Sequence, residues 1–305
     1  MNILAIIVAY NPDRDLLERN IASFAPYVSK ILIWRNSLFD LSDIRLGRSA
    51  GSSVSPGSVA VGQAEVESVA AGSGVAGSVV LGKIEICGDG ANAGIGKALN
   101  YAVDYARRGG YTHLLTMDQD SVWENFQEFL GGVEEYEASG KEPGLYGPAV
   151  YTEALSESMT PAESLITSGM LVPMAVYDRI GGYDEKFFVD GIDLDFSYKA
   201  KEAGLPLWTV GGCHLVQRFG QKEKVNLLWF HPVVNNYSAF RLRGIYRNQL
   251  IVIRRYKSAY PLKKRYIRHH VLNRIPRILL FEKDRWNKCK AIFGGIWAGL
   301  TDKLD

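Results

Sequence analysis

The polar and apolar positions of this chain follow two patterns, short apolar runs and segments of helical period. Apolar runs typical of buried strands occur at Ile3–Ala9, Lys30–Trp34, Lys83–Cys87 and Thr112–Met117. A helical stripe follows the first run at Leu17, Ile21 and Phe24, and a longer one occupies residues 99–106. We expect Asn11 to cap the first helix and Gly109 to end the second.

The same alternation continues further along the chain. Strands are predicted at Leu145–Tyr151, Leu165–Val172 and Leu205–Val210, with a short helix at residues 174–180 that ends at a glycine pair. After Ser238 the pattern becomes helical, aromatic and basic. Alternating strands and helices predict a three-layer α/β domain, here over residues 1–240, with a helical extension over 241–305.

Residues 47–82 interrupt this pattern. The segment consists almost entirely of Gly, Ser, Ala and Val and has no lasting period. We interpret it as an insertion, either a floppy loop or a loose hairpin, and assign it no function.

Charge is distributed unevenly along the chain. The net charge is +2, but residues 241–290 contain 16 Lys and Arg against Glu282 and Asp284, so that region carries +14 and the rest −12. Such a division suggests a polyanionic or membrane-surface partner. The three cysteines have no metal-binding spacing, and the N-terminal apolar run is too short for a signal peptide or a membrane span, so we expect a cytoplasmic protein.

Two aspartates directly follow the fourth apolar run, in the stretch "LLTMDQDS". Asp118 and Asp120 are therefore expected at the carboxyl end of a strand, the edge where open α/β sheets bind ligands. Carboxylate oxygens suit Mg²⁺ or Mn²⁺, which also binds substrate phosphates. The alternative is that both are turn residues or helix caps.

Three more carboxylates, Asp190, Asp193 and Asp195, precede or begin a helix that ends at Gly204. They are candidates for a general base across a cleft from the metal, or for first-turn residues favoured by the helix dipole. His214 follows the last predicted strand and is a weaker metal candidate, since a lone histidine is more often a core residue. "GIGKAL" lacks both the phosphate-loop and the dinucleotide patterns, yet its helix start, with Asn92 and Lys97, could face a diphosphate.

Taken in order, these segments resemble the family 2 glycosyltransferases of the GT-A fold, and within them the rhamnosyltransferase-like branch. The resemblance runs from Ile3 to about Asn248 and is carried by "IIVAYNP", "ILIWRNS", "NAGIGKALNYA", "LLTMDQDS", "TSGMLV", "IGGYDEKFFVDGIDLDFSYKAKEAG" and "IYRNQ". It implies a Rossmann-like three-layer fold with a mostly parallel mixed sheet.

The resemblance also implies residue roles. The nucleotide-sugar donor would be held by Tyr10, Asn11, Asn36, Asn92, Gly94, Lys97, Asn100 and Asp118. Asp118-Gln119-Asp120 matches the DxD motif, with Asp120 the metal ligand and Asp118 the ribose or water-mediated partner. Asp193 matches the base, with Asp190 and Asp195 as acidic neighbours that would raise its pKa.

Departures from the family pattern narrow the donor. Arg35 stands where many relatives have an aspartate that reads uracil, which favours dTDP-rhamnose over UDP-galactose or UDP-glucose. The expected reaction is a single, inverting transfer to a saccharide or lipid-linked saccharide acceptor in cell-surface polysaccharide synthesis. Alternatives from other classes are a HAD-type phosphatase, to which "DQDSV" is similar, and an inactive nucleotide-sugar-binding protein.

The basic extension predicts a peripheral contact with an anionic membrane surface. Its cations alternate with apolar side chains, namely Tyr256, Tyr260, Tyr266, Ile267, Leu272, Ile278, Leu279, Leu280, Phe281 and Trp286. Pro261 and Pro276 are expected to divide it into short helices. The alternative is that these apolar faces pack on the catalytic domain; no nucleic-acid motif accompanies the charge.

Overall fold

The computed structural model describes residues 1–39, 79–150, 159–217, 223–224, 233–234 and 236–304. The strands are β1 (Ile3–Ala9), β2 (Lys30–Arg35), β3 (Val79–Leu81), β4 (Ile84–Cys87), β5 (His113–Asp118), β6 (Ser121–Glu124), β7 (Leu145–Val150), β8 (Thr160–Pro161), β9 (Met170–Pro173), β10 (Leu207–Gln217), β11 (Glu223–Lys224) and β12 (Val233–Val234). The helices are α1 (Arg14–Phe24), α2 (Ile95–Arg108), α3 (Phe126–Ala138), α4 (Met174–Ile180), α5 (Ile192–Glu202), α6 (Ala239–Arg255), α7 (Tyr260–Arg265), α8 (Ile275–Phe281) and α9 (Arg285–Thr301). A π-helical segment, Tyr266–Arg274, joins α7 to α8.

One mixed sheet, in the order β3-β4-β2-β1-β5-β9-β7-β10-β6, forms the centre of the protein, with β8 paired to β10. The pairs β4-β2, β2-β1 and β1-β5 are parallel, as is β7-β10. Alternate residues of β1 enter opposite cores, with Leu4 and Ile6 on one face and Ala5 and Ile7 on the other. Helices α2, α4 and α5 cover the first face, and α1 and α3 cover the second. The predicted three-layer α/β architecture is therefore confirmed.

Helix α1 and β9 begin later than predicted, and β10 continues past the predicted end at Val210 to Gln217. Helix α1 begins at Arg14, with Asp13 as its cap: the Asp13 carboxylate accepts a hydrogen bond from the Leu16 N–H at 3.1 Å. Asn11 cannot cap it, because its backbone has φ of +44° and donates to Ser37 Oγ. The strand predicted from residue 165 begins only at Met170, since Gly169 with φ of +80° reverses the chain.

Most of the predicted insertion, residues 47–78, lies outside the described residues. Its last part does not: Val79–Leu81 forms β3 and pairs antiparallel with β4 through the turn at Gly82. The segment therefore ends in an edge strand of the central sheet, and the insertion is shorter than its composition predicted.

The C-terminal region is helical, as predicted, with Pro261 and Pro276 in the first turns of α7 and α8. Helix α6 joins this region to the α/β core, because Ile251 and Val252 pack in the first-face core. Several residues expected at a membrane are instead buried in the protein, namely Tyr256, Tyr266 and Ile278. Tyr256 packs in the first-face core of the catalytic domain, as the alternative interpretation held, whereas Tyr266 and Ile278 pack in a separate cluster with α6 and α9. No helix in the described part of the chain is long and apolar enough to cross a bilayer.

Candidate active site

The candidate site lies where β1, β2 and β5 end together. These strands are parallel neighbours, with Val8 opposite Asp118 and Ala9 opposite Arg35. Their carboxyl ends therefore bring Tyr10, Asn36 and Asp118 to one edge of the sheet. This is the edge that the sequence predicted.

Asp118 is fixed on every side by polar groups. Its N–H donates to Ser168 Oγ at 3.1 Å, its carbonyl accepts from Asn20 Nδ2 at 2.7 Å, and its carboxylate accepts from Gln217 Nε2 at 2.7 Å. Asn20 is fully buried and also donates to the Ser121 carbonyl, so helix α1 fixes both ends of the turn from Asp118 to Ser121. The orientation of the Asp118 carboxylate is set before any ligand arrives.

Asp118, Asp120 and Asp193 form one electrostatic group. Burial, together with repulsion from Asp120 and Asp193, raises the pKa of Asp118 to about 7. Arg241 and the Gln217 amide oppose this shift without cancelling it. A bound divalent cation would stabilise carboxylates that repel one another in this way. The donor set, hard carboxylate oxygens, fits Mg²⁺ or Mn²⁺.

The structure does not complete an all-protein metal site. Among the described residues, no group of three His, Cys, Asp or Glu side chains is placed to hold a metal ion. His214 lies in β10 opposite Glu124 of β6, and the β10 side chain that reaches Asp118 is Gln217. A cation held by Asp118 and Asp120 would take its other ligands from water and substrate phosphates, as Mg²⁺ commonly does. The metal role of His214 stays a prediction.

Asp193 lies half-buried in the first turn of α5. Burial raises the pKa of Asp193 to about 6, and the charge of Asp190 acts in the same direction. The Leu194 N–H donates to its carboxylate at 2.9 Å and acts in the opposite direction. A carboxylate with this pKa can accept a proton near neutral pH.

The other two predicted carboxylates are bound to arginines of α6. Asp190 forms a two-point pair with Arg241, at 2.9 Å from both Nε and Nη2. Asp195 is almost fully buried and accepts from Arg255 at 2.7 Å and from the Tyr256 hydroxyl at 2.9 Å. Asp195 therefore fixes α6 to α5, and its predicted part in the chemistry stays a prediction.

The donor-side residues separate into two groups. Asn36 bonds Asn92 at 3.0 Å and receives the Ala93 N–H at 2.9 Å, which fixes the loop before α2 against the end of β2. Lys97 is exposed on the first turn of α2, and Tyr10 is exposed beyond β1. These residues remain candidates for the donor nucleotide and diphosphate.

Asn100 and Gly94 are occupied by protein contacts. Both amide hydrogens of Asn100 are used, one by the Tyr183 carbonyl and one by Glu185, each at 2.9 Å. A side chain on Gly94 would meet Phe188 at 2.8 Å, so this glycine permits close packing of α2 on the segment before α5. Both residues therefore have structural contacts, and their predicted contact with the donor stays a prediction.

Several site residues were not singled out from the sequence. Asn248 donates to the carbonyls of Val189 and Asp190 at 3.0 and 2.7 Å, which fixes the loop that presents Asp193. It belongs to "IYRNQ", a motif whose position in the sequence gave no role. Asn20 could have been noticed as a polar residue within the apolar stripe of α1, whereas Gln217 gave no signal in its own sequence surroundings.

Comparison with known proteins is consistent with this site. No protein-family model matches the sequence. Over 206 residues the chain is 24% identical to the dTDP-rhamnosyl transferase RfbF of Shigella flexneri, which covers 59% of this chain and 66% of that protein. The match thus spans slightly under two thirds of the relative's length.

Similar solved structures include S. aureus TarS residues 1–349, with a TM-score of 0.56 and 10% identity over 99% of this chain and 81% of the other. GalNAc-T7, solved with UDP, GalNAc and Mn²⁺, has a TM-score of 0.54 and 11% identity over 88% of this chain and 54% of the other. The comparisons confirm the resemblance drawn from the ordered motifs: the chain has the GT-A fold and resembles the family 2 glycosyltransferases, in particular their rhamnosyltransferase-like members.

Proposed function

We propose that this protein is an inverting, metal-dependent glycosyltransferase that moves rhamnose from dTDP-rhamnose to a saccharide acceptor carried on a lipid. The observation that carries the proposal is the group of Asp118, Asp120 and Asp193, in which the charges of Asp120 and Asp193 raise the pKa of Asp118 at the carboxyl edge of the sheet. The similarity to a dTDP-rhamnosyl transferase supports the choice of donor. The Mn²⁺ and UDP of the GalNAc-T7 structure support the choice of cofactor and donor class.

Asp193 acts as the general base in this proposal. Its carboxylate takes the proton of the acceptor hydroxyl while that oxygen forms a bond to the anomeric carbon, and the bond from this carbon to the diphosphate breaks. Attack from the side opposite the leaving group inverts the configuration. A divalent ion bound by Asp120 and Asp118 would supply charge neutralisation for the departing nucleoside diphosphate.

The similarity to a dTDP-rhamnosyl transferase favours thymine as the base of the donor in our proposal. Arg35, at the end of β2, donates to the Gly88 carbonyl from Nη2 at 3.0 Å and offers a base no hydrogen-bond acceptor. Because thymine and uracil carry the same N3–H and carbonyl groups and differ only in the C5 methyl group of thymine, Arg35 does not separate the two bases. UDP-galactose or UDP-glucose is the second candidate donor, with the same site and chemistry.

A thermal-shift panel tests the donor and the metal together. We expect dTDP-rhamnose with Mn²⁺ to raise the melting temperature more than UDP-sugars or either component alone, because a ligand stabilises by mass action. Asp120→Ala should remove the Mn²⁺-dependent part of the shift and leave the melting temperature of the free protein nearly unchanged. If the Mn²⁺-dependent shifts of wild type and Asp120→Ala are equal, Asp120 does not bind the metal. If the protein transfers rhamnose to none of the saccharide acceptors tested, the proposed reaction is wrong.

A further inference from the structure

Helix α9 (Arg285–Thr301) packs on α6 through one narrow face. A side chain added to Gly295 would meet the Arg243 carbonyl at 2.5 Å, and one added to Gly299 would meet the Arg247 carbonyl at 2.7 Å. Ile292, on the same face, is 1% exposed. The small residues let the two backbones approach closely, so α6 covers the inward face of α9.

The opposite side of α9 is also apolar. With about 3.6 residues per turn, Trp286, Phe293, Trp297 and Leu300 group on one side of the helix, turned away from Ile292, Gly295 and Gly299. These side chains are 71%, 68%, 72% and 52% exposed. We call these four residues the outward face of α9. A helix that is apolar on both sides needs a second apolar environment on its outer side.

The outward face continues onto the end of α8. Leu279 and Leu280 are both exposed, and Leu280 is 69% exposed. The turn between the helices is short, and Arg285 donates to the Leu279 carbonyl at 3.4 Å. The exposed leucines of α8 therefore lie beside the start of α9, and the apolar surface spans two helices.

Basic side chains accompany this surface. Exposed cations in or directly before α9 are Lys283, Arg285 and Lys290, and further exposed cations of the C-terminal region are Lys263, Lys264 and Arg268. The acidic residues of the region are largely engaged, since Glu282 pairs with Lys288 at 2.7 Å and Asp302 pairs with Arg247 at 2.7 Å. An exposed apolar face among cations suits a partner that offers both negative charge and an apolar interior.

We propose that the outward face of α9 seats this protein on an anionic lipid bilayer, with its aromatic rings at the boundary between headgroups and acyl chains. Tryptophan and phenylalanine suit that boundary, and the surrounding lysines and arginines suit anionic headgroups. This inference deepens the proposed function, since it rests on an acceptor carried by a lipid. Helix α6 contacts both α9 and, through Arg241 and Asn248, the loop before Asp193. A bilayer that contacts α9 therefore brings the loop before Asp193, where the proposed base meets the acceptor, near the membrane surface.

The test measures binding to vesicles in the absence of donor and acceptor. Wild-type protein should cosediment with vesicles of phosphatidylcholine mixed with phosphatidylglycerol, bind phosphatidylcholine alone more weakly, and dissociate as salt is raised. The combined change Phe293→Ser, Trp297→Ser and Leu300→Ser should weaken binding by at least about tenfold, because apolar area is lost from the boundary. Phe293→Leu with Trp297→Phe should retain binding, since it keeps apolar side chains.

A matched pair of charge reversals tests the basic residues. Lys263→Glu with Lys264→Glu should weaken binding to the mixed vesicles by about thirtyfold or more, since each cation near an anionic surface contributes about fivefold. Arg108→Glu with Lys141→Glu, on the α/β domain, should leave binding unchanged. Each pair removes one lysine that stacks on a tyrosine ring, Lys264 on Tyr260 and Lys141 on Tyr136. Arg265 is left intact because it pairs with Glu163.

A second measurement needs no variant. Brominated lipids in the mixed vesicles should quench part of the wild-type tryptophan fluorescence, because Trp286 and Trp297 enter the boundary. Absence of quenching, equal binding to neutral and anionic vesicles, or unchanged binding of the serine variant would each overturn the proposal. So would a wild-type dimer in light scattering that fails to bind vesicles and dissociates in the serine variant, since a second copy would then cover the face.

Transfer to a water-soluble saccharide acceptor separates this inference from the proposed function. The serine variant should keep that activity, because its substitutions are exposed and outside the site. Intact transfer with no vesicle binding by wild type would reject the docking surface alone, whereas vesicle binding without transfer would reject the proposed reaction alone.

Discussion

At the scale of single residues, Gln119, between Asp118 and Asp120, fixes the backbone of Tyr10. The Gln119 amide forms two hydrogen bonds with the backbone of Tyr10, accepting from its N–H at 2.6 Å and donating to its carbonyl at 3.0 Å. The Gln119 side chain thus joins the ends of β5 and β1 with the pair of hydrogen bonds that a backbone peptide group would make. Because Tyr10 is half exposed at the proposed nucleotide position, we propose that Gln119 positions Tyr10 for donor binding.

We expect Gln119→Ala to raise the KM for the nucleotide sugar by about tenfold with a smaller change in kcat, because Tyr10, no longer held by two hydrogen bonds, has to be ordered when the donor binds, at a cost of about 1–2 kcal/mol. Steady-state kinetics with varied donor measures this. Gln127→Ala is the matched control, since its side chain accepts a long hydrogen bond, 3.5 Å, from the Tyr27 hydroxyl on the surface. A KM change of less than about twofold in Gln119→Ala would show that Tyr10 is positioned by other contacts.

The pKa of Asp193 gives the transfer reaction a definite pH dependence. A general base works only when deprotonated, and the pKa of Asp193 is raised to about 6, chiefly by burial. The rate should therefore fall as pH decreases through about 6 and level off above it. Rates measured at saturating Mn²⁺ and donor provide the test.

Asp193→Asn should lower the rate by about 10² to 10⁴ with donor binding retained, and its residual rate should lack the acid limb. Asp178→Asn, on the exposed surface of α4, is the control and should behave as wild type. If Asp193→Asn keeps both the rate and the acid limb, the base is another group.

At the scale of elements, α9 contains a matched pair of neighbouring glycines. A side chain on Gly295 would meet the Arg243 backbone at 2.5 Å, whereas one on Gly294 would meet nothing within 4 Å. Gly295→Ala should lower the free energy of unfolding by about 1–3 kcal/mol through overpacking. Gly294→Ala should raise it by about 0.5–1 kcal/mol through helix propensity. Urea denaturation measures both, and equal effects would contradict the close α6–α9 approach.

At the scale of the whole molecule, the sheet sets the limit of what can be removed. Replacing residues 47–78 by a short Gly/Ser linker should leave folding and activity intact, because loop closure costs little and β3 remains paired to β4. Replacing 47–82 should lower the melting temperature, because it removes β3 from the edge of the sheet. Loss of soluble protein in the shorter deletion would show that the segment is structural.

The sequence determined the parts of this protein that depend on local pattern. Apolar period places Ile3–Ala9 and Thr112–Met117 in a buried sheet, and strand ends place Asp118 at its carboxyl edge. The ordered motifs were sufficient to indicate the GT-A fold. These features follow from side-chain periodicity and chain order, which a sequence carries directly.

Only the tertiary structure decided which polar groups meet. The pairings of Asp118 with Gln217 and of Asp195 with Arg255 join residues far apart in the chain. Sequence spacing alone could not distinguish Asp193, which faces the site, from Asp195, which is held by an arginine of α6. It also could not separate the buried Tyr256 from the exposed Trp297, because basic and aromatic residues alternate throughout the region. Burial and pairing depend on the neighbouring helix, and the fold supplies that neighbour.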